Sequence, residues 1–209
     1  MLRIRTPLLF AAFAGIAAGV IMIAMFFTHH IQTHNRLHAQ TISLQQLISP
    51  NEYDNDLLEN SIHVTAQNYL GNDLPHLVYR AYLQNKPVAL LIHASTYGGY
   101  AGPIQLLIGV RADNTLLGVR VLSSEETPGL GDQYQKNDGA WLKDFEGKGL
   151  QNPPLAQWNV KKSGGAFDQW TGATVTPQAI VKSVARVLSF TQKYSAQLFS
   201  AKQDVVIHE

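Results

Sequence analysis

Asp168–Pro177 reads DQWTGATVTP, and the fold is best read outward from it. Thr171 and Thr174 put two hydroxyls around the two smallest residues, Gly172 and Ala173. Thr176-Pro177 then reads as a helix start, with Thr176 as N-cap and Pro177 at the first helical position. Beyond it Ile180, Val181, Val184, Leu188, Thr191 and Leu198 keep helical spacing on one face, which predicts a helix from Pro177 to about Phe199. Thr174 is thus expected just ahead of a helix N-terminus. Unpaired N–H groups and the positive end of the helix dipole favour a phosphate there. Gly172 and Ala173 leave room for another molecule to approach the Thr174 hydroxyl. On residue chemistry alone the stretch is either such a seat or an ordinary capped helix start.

The run D-x-x-T-G-A-T, Asp168 through Thr174, closely resembles the flavinylation motif D-x-x-[S/T]-G-A-T of the covalent-FMN-binding domain family. In that family the last Thr carries flavin mononucleotide (FMN) through a phosphoester bond, made by a separate flavin transferase using FAD. The resemblance implies that Thr174 is the attachment site, with one covalent FMN per chain. Thr171, Gly172 and Ala173 would be the residues the transferase must accommodate, and Asp168 the leading acid.

Upstream, Leu77–Leu83, Val88–His93, Ile104–Val110 and Leu116–Leu122 alternate or run apolar over strand lengths. Asn85-Lys86-Pro87 and Ala112-Asp113-Asn114 supply turns. Tyr97–Pro103 must be a loop, because three glycines and a proline break any ladder. The four strands form a meander with apolar surface for one core. Ser123–Gln133, SSEETPGLGDQ, follows the last strand as a tight loop, and loops at strand ends are common sites. Its segment ETPGLG resembles one that recurs in the same flavin-linked family, as GYAGPIQLLIG resembles the family's glycine-rich entry to the sheet. That likeness implies that Glu126, Thr127, Pro128, Gly129 and Leu130 border the flavin ring. Asp138–Phe145 reads as a short helix and Trp158-Asn159-Val160 as a short strand. Lys161 and Lys162 read as surface charge. Trp170 either stacks on a flavin or fills the core. Ala201–Glu209 reads as a frayed tail.

At the other end, Leu8–Phe27 is 20 residues without a charge, spanning roughly 30 Å as a helix, the thickness of a bilayer core. A secretory signal has a shorter apolar core and a small-residue cleavage site. This run ends Met25-Phe26-Phe27-Thr28 instead and reads as a retained anchor. Gly15 and Gly19 make a GxxxG pair of the kind common in membrane helices. Arg3 and Arg5 precede the run and only Arg36 closely follows it, which puts the N-terminus inside. His30, His34 and His38 fall at i, i+4 and i+8, but no carboxylate nearby completes a ligand set, so no metal site is expected. Ile42, Leu44, Leu47 and Ile48 form a short apolar stretch closed by Pro50, and Asn51–Asn60 reads as a polar connector.

With Arg3 and Arg5 set aside, 14 basic residues face 15 acidic ones. A near-neutral domain without a basic run gives no footprint for nucleic acid. The absence of cysteine excludes disulfides, thiolate catalysis and iron–sulfur clusters. There is no nucleotide-binding glycine fingerprint, catalytic triad or paired catalytic carboxylates, so no catalytic residue is named.

The fold expected is α+β: a single N-terminal transmembrane helix plus an FMN-binding domain built on an antiparallel β-meander with flanking helices. Residues 1–28 would be the cytoplasmic N-terminus and anchor, 29–75 a juxtamembrane helical segment and connector, 76–200 the FMN-binding domain, and 201–209 a tail. Across nearly its whole length the chain resembles the family of flavin-carrying G subunits of the Rnf/Rsx ion-translocating oxidoreductase complex. The C subunit of the sodium-translocating NADH:quinone oxidoreductase is a close cousin. The resemblance implies an electron-carrier subunit of a redox-driven ion translocase. Its partners would be the other subunits of the membrane complex and, during maturation, the flavin transferase. Its location would be the bacterial inner membrane, single-pass, with the FMN domain periplasmic. A stand-alone membrane-anchored flavin reductase and a non-redox structural or sensor subunit are the alternatives. A reporter fused after Glu209 is expected to be active only outside the cytoplasm; cytoplasmic activity would reject this topology.

Overall fold

The computed structural model describes residues 10–11, 13–26 and 41–207, with Asn137 and Asp138 by backbone only. The chain divides into two compact units, Met1–Ile42 and Ser43–Glu209. In the first, residues 13–26 are helical, and Phe13, Ile16, Val20, Met22 and Phe26 are all well exposed. Among the described residues no helix is long and apolar enough to cross a membrane. Leu8, Leu9, Ala12 and Phe27 of the expected anchor lie outside them, as do Arg3, Arg5, Arg36, His30, His34 and His38.

The second unit is a six-stranded sheet with helices. Its strands are β1 (Ser61–Thr65), β2 (His76–Leu83), β3 (Lys86–Thr96), β4 (Ile104–Arg111), β5 (Leu116–Ser123) and β6 (Val205–Val206), in the order β5-β4-β3-β2-β1-β6. Successive strands from β1 to β5 pair antiparallel, as a meander must. The β6 strand lies parallel to β1, with Val64 opposite Val205, so the sheet is mixed rather than antiparallel throughout. Two expectations change with it. The segment after the connector contributes strand β1, with Ile62 and Val64 pointing into the core. The described part of the tail, residues 201–207, is paired rather than frayed: the Ile207 N–H donates to the Thr65 carbonyl at 2.8 Å, and the His63 N–H donates to Asp204 Oδ1 at 2.9 Å.

The β2–β3 turn also sits earlier than expected. Gln84 and Asn85 both have positive φ, 52° and 60°, as a two-residue hairpin turn requires. Lys86-Pro87 therefore begins β3, where a strand tolerates proline. The expected helix over Asp138–Phe145 is a 3-10 stretch, Gln133–Gly139, running into the short α2, Ala140–Lys143. The expected strand at Trp158–Val160 is one bridge, Val160 to Phe167.

The long helix α3, Val175–Ser200, lies across β3 and β4 and against the short α1, Gln67–Leu70. Ile180, Val181, Val184, Leu188, Thr191 and Leu198, the face read from spacing, are all buried. They meet Leu90, Ile92, Leu106, Ile108 and Val110 from the sheet. The opposite residues of the same strands, Ala89, Leu91 and Leu107, meet Leu44, Leu47, Ile48 and Leu57. Both faces of the central strands are covered, which is why VALLIH reads as an unbroken apolar run instead of alternating. The far end of α3 is held by two side chains of β2. Arg80 Nη1 donates to the Ala201 carbonyl at 2.6 Å, and the Tyr82 hydroxyl donates to Phe199 O at 2.6 Å. A cation at a helix C-terminus is favourable against the dipole.

His93 on β3 lies against the Tyr79 ring, 5.7 Å between centroids. Burial, with His76 nearby adding repulsion, pulls the His93 imidazole down to about 4. Unfolding restores an ordinary imidazole, so between about pH 6.5 and pH 4 the unfolded chain binds the extra proton. Stability is therefore expected to fall as pH drops through that window, by on the order of 2 kcal/mol for this group. Urea midpoints at pH 7 and pH 4.5 measure it. A His93→Gln variant should show a visibly smaller loss, and an equal loss would place the pH sensitivity elsewhere.

Candidate functional site

Three separate stretches converge at the N-terminus of α3. The turn Trp170–Ala173 is closed by the Ala173 N–H donating to the Trp170 carbonyl at 3.2 Å. Gly172 in it has φ 85°, and a Cβ there would also press on Leu130 Cδ1 at 3.3 Å. Only glycine suits that position. The turn is anchored from behind by aromatic packing. Trp170, 8% exposed, meets the Trp141 ring edge-on at 4.9 Å and Tyr134 at 6.1 Å. Trp141 Nε1 donates to the Asp168 carbonyl at 2.8 Å. Trp170 therefore fills the core.

The helix begins one residue after the motif, not at Pro177. Thr174 is the N-cap, in helical conformation and without a side-chain capping bond, and its carbonyl accepts the Gln178 N–H at 3.2 Å. Thr176 is thus not the cap. Pro177 falls in the third helical position, where the missing N–H would have had no partner within the helix. The Val175 and Thr176 N–H groups likewise have no carbonyl a turn earlier. The Thr174 hydroxyl is left uncommitted beside them.

The Thr176 hydroxyl points the other way, donating to Glu126 Oε2 at 2.7 Å in the interior. Glu126, 7% exposed, also accepts the Ala101 N–H on Oε1 at 3.1 Å. Both oxygens are thereby paired, as a buried carboxyl demands. Two glycines give it space. A Cβ on Gly99 would stand 2.6 Å from Oε1, and one on Gly131 would collide with Oε2. The loop carrying Glu126 is closed by the Leu130 and Gly131 N–H groups donating to the Thr127 carbonyl at 3.1 and 3.0 Å.

A cavity of about 240 Å³ opens where these pieces meet, lined by Glu126, Thr127, Leu130, Gly172, Ala173 and Thr174, with Tyr100, Gly131, Val175 and Thr176. The structure thus brings together most of the two motifs singled out in the sequence. Pro128, Gly129, Asp168 and Thr171 do not line the cavity. Asp168 is largely exposed and paired with Lys161 Nζ at 2.6 Å, and Thr171 is exposed. Tyr100, Gly99 and Gly131 escape a reading of the sequence as site residues. They lie inside the two glycine-rich segments that resemble the family's, Gly99 and Tyr100 opening GYAGPIQLLIG and Gly131 closing ETPGLG, but only the fold brings them beside Glu126. A larger groove, about 700 Å³, runs beside β5 and is lined by Arg120, Tyr134 and Leu142 among others. It shares no residue with either motif.

The cavity suits a phosphate ester on Thr174. A free hydroxyl, adjacent helix N–H groups and side chains too small to obstruct lie at one point. Tyr100, Leu130 and Val175 keep exposed apolar surface around it, at 79%, 42% and 47%. The volume is below the roughly 300 Å³ of sites that enclose whole cofactors, so a planar ring system would have to lie against this rim rather than inside.

Residues 99–189 match the FMN-binding domain family. The chain is 39% identical over 206 residues to the G subunit of the ion-translocating oxidoreductase complex of Pseudomonas aeruginosa, covering 99% of this chain and 96% of that one. It is 40% identical over 198 residues to the protein of that name from Shewanella amazonensis, covering 94% and 92%. With that of Pseudoalteromonas atlantica it shares 37% over 200 residues, covering 96% and 93%.

Truncating Glu126 strands the Thr176 hydroxyl and the Ala101 N–H. Glu126→Ala is expected to cost about 1–3 kcal/mol in urea unfolding, and Glu126→Gln clearly less, since the amide retains an acceptor. Equal midpoints for wild type and the alanine variant would mean that this clasp contributes no stability.

Proposed function

Because this chain belongs to the family of ion-translocating oxidoreductase complex G subunits, we propose that it is the electron-carrier flavoprotein subunit of such a complex, relaying electrons through FMN esterified to Thr174. The observation that carries the reading is the uncapped Thr174 hydroxyl at the N-terminus of a 26-residue helix, inside the cavity that joins both flavin-family motifs. FMN, when bound, supplies a centre that takes one or two electrons. The chain's own residues hold and orient it. The Val175 and Thr176 backbone N–H groups would serve the phosphate oxygens, and the helix dipole would favour their charge. Glu126, Thr127, Leu130 and Tyr100, which line the cavity, would border the ring. Pro128 and Gly129, read with them as neighbours of the ring, do not line the cavity and would shape that loop.

Attachment requires an oxygen nucleophile. The Thr174 O–P bond forms as the pyrophosphate bond of FAD breaks, AMP departs, and the hydroxyl proton is lost. A separate transferase supports that step. Asp168 and Thr171 face outward, which suits residues read by that enzyme; Gly172 and Ala173 let it approach. Of the neighbouring threonines, Thr176 is committed to Glu126. The anchor over Leu8–Phe27 would hold the flavin domain on the periplasmic side of the inner membrane, with the other subunits of the complex as partners.

Thr174→Val keeps the branched shape and removes the oxygen. Expressed with the transferase, it should lose all flavin fluorescence on a denaturing gel and lack the FMN adduct by intact mass, while Thr171→Val and Thr176→Val retain label. Covalent flavin on Thr174→Val would overturn the assignment.

A further inference from the structure

The cavity at the start of α3 has one charged side chain in its wall. Of the ten residues that line it, Glu126 is the single acid, Tyr100 is the other titratable group, and none is Lys, Arg or His. Glu126 has no ion-pair partner among the described residues. Its oxygens take an N–H from Ala101 and an O–H from Thr176, and both donors are neutral. Acceptance at both oxygens is the role of an ionised carboxylate. These bonds and the nearby helix end offset the cost of holding the charge out of water, but they do not cancel its field. The residue is 7% exposed, so water screens the carboxylate poorly, and its field reaches across the cavity.

We propose that Glu126 sets the potential of the flavin, its uncompensated carboxylate making a ring held at this cavity harder to reduce. The inference rests on the reading of Thr174 as the FMN site. An electron delivered by the complex adds one negative charge to the ring until a proton from water follows it. A fixed negative charge in the wall, with no cation beside it, raises the energy of the reduced form more than that of the oxidised form. A clasp between Ala101 and Thr176 asks only for two acceptor atoms, so a purely structural role is indifferent to the charge. The potential is not.

The test is a spectroscopic redox titration of the full chain, made with the transferase and purified in detergent, with the FMN adduct checked by intact mass. Glu126→Gln keeps the side-chain shape and one acceptor and removes the charge. At a fixed ambient potential its reduced-to-oxidised flavin ratio should exceed that of wild type by at least about threefold, where tenfold is 59 mV for a one-electron couple. Glu126→Asp shortens the clasp and keeps the charge. Thr176→Val deletes one donor of the clasp and also keeps the charge. Both should stay within about twofold of wild type, and urea midpoints on the same samples show how far each variant disturbs the fold. An unmoved or lowered ratio in Glu126→Gln would overturn the proposal. So would an equal rise in all three variants, which would mark packing rather than charge. A wild-type chain without the adduct would bring down the flavin reading and this inference together, whereas an adduct with an unmoved ratio sinks only the role of the charge.

Discussion

The site depends on one buried carboxyl. Glu126 joins the Gly99–Ala101 turn, its own loop and the first turn of α3, across sequence separations of 25 and 50 residues. An acid in this position is favoured twice over: it faces a helix N-terminus, and it accepts two hydrogen bonds that offset the cost of leaving water. The space it occupies exists only because residues 99 and 131 have no side chain. With the first turn of α3 fixed in this way, Thr174 is held at the helix end, on the cavity and without a capping bond.

The sheet and the long helix are legible in the sequence where burial is regular. The spacing of Ile180, Val184 and Leu188 marks the buried face of α3, and the strand lengths from β2 to β5 agree within a residue or two with the ladder, except β3, which extends further at both ends. Composition hides the rest. β1 is five residues long with one exposed His between two apolar residues, too short to stand out from a polar connector. β6 has two residues and is a strand only because β1 lies beside it. Such elements are fixed by tertiary pairing, which a local pattern does not carry.

The helix start departs from its local signal for a related reason. Thr-Pro is a strong mark of a cap, and it loses to a tertiary partner: Thr176 forms its bond with a carboxyl fifty residues earlier. Thr174, Gly172, Leu130 and Glu126 are legible as site residues because two short motifs carry them. Tyr100, Gly99 and Gly131 sit in family-like segments too, yet their role is not legible there, since it is set by shape, and shape at Glu126 is assembled from three loops.

The pairing of β1 with β6 spans 141 residues between His63 and Asp204. Strands β2 to β5 can zip in sequence order through short turns, each closing a small loop. The first strand has a neighbour on only one side until nearly the whole unit has been made, and closing so large a loop is slow compared with hairpin formation. The same late event delivers the carbonyls of Phe199 and Ala201 to Tyr82 and Arg80. The platform for Thr174, held by Glu126 to Ala101 and Thr176, likewise needs the start of α3, made after strands β1 to β5. A chain that ends before α3 is made would present the motif without the helix end that gives it meaning.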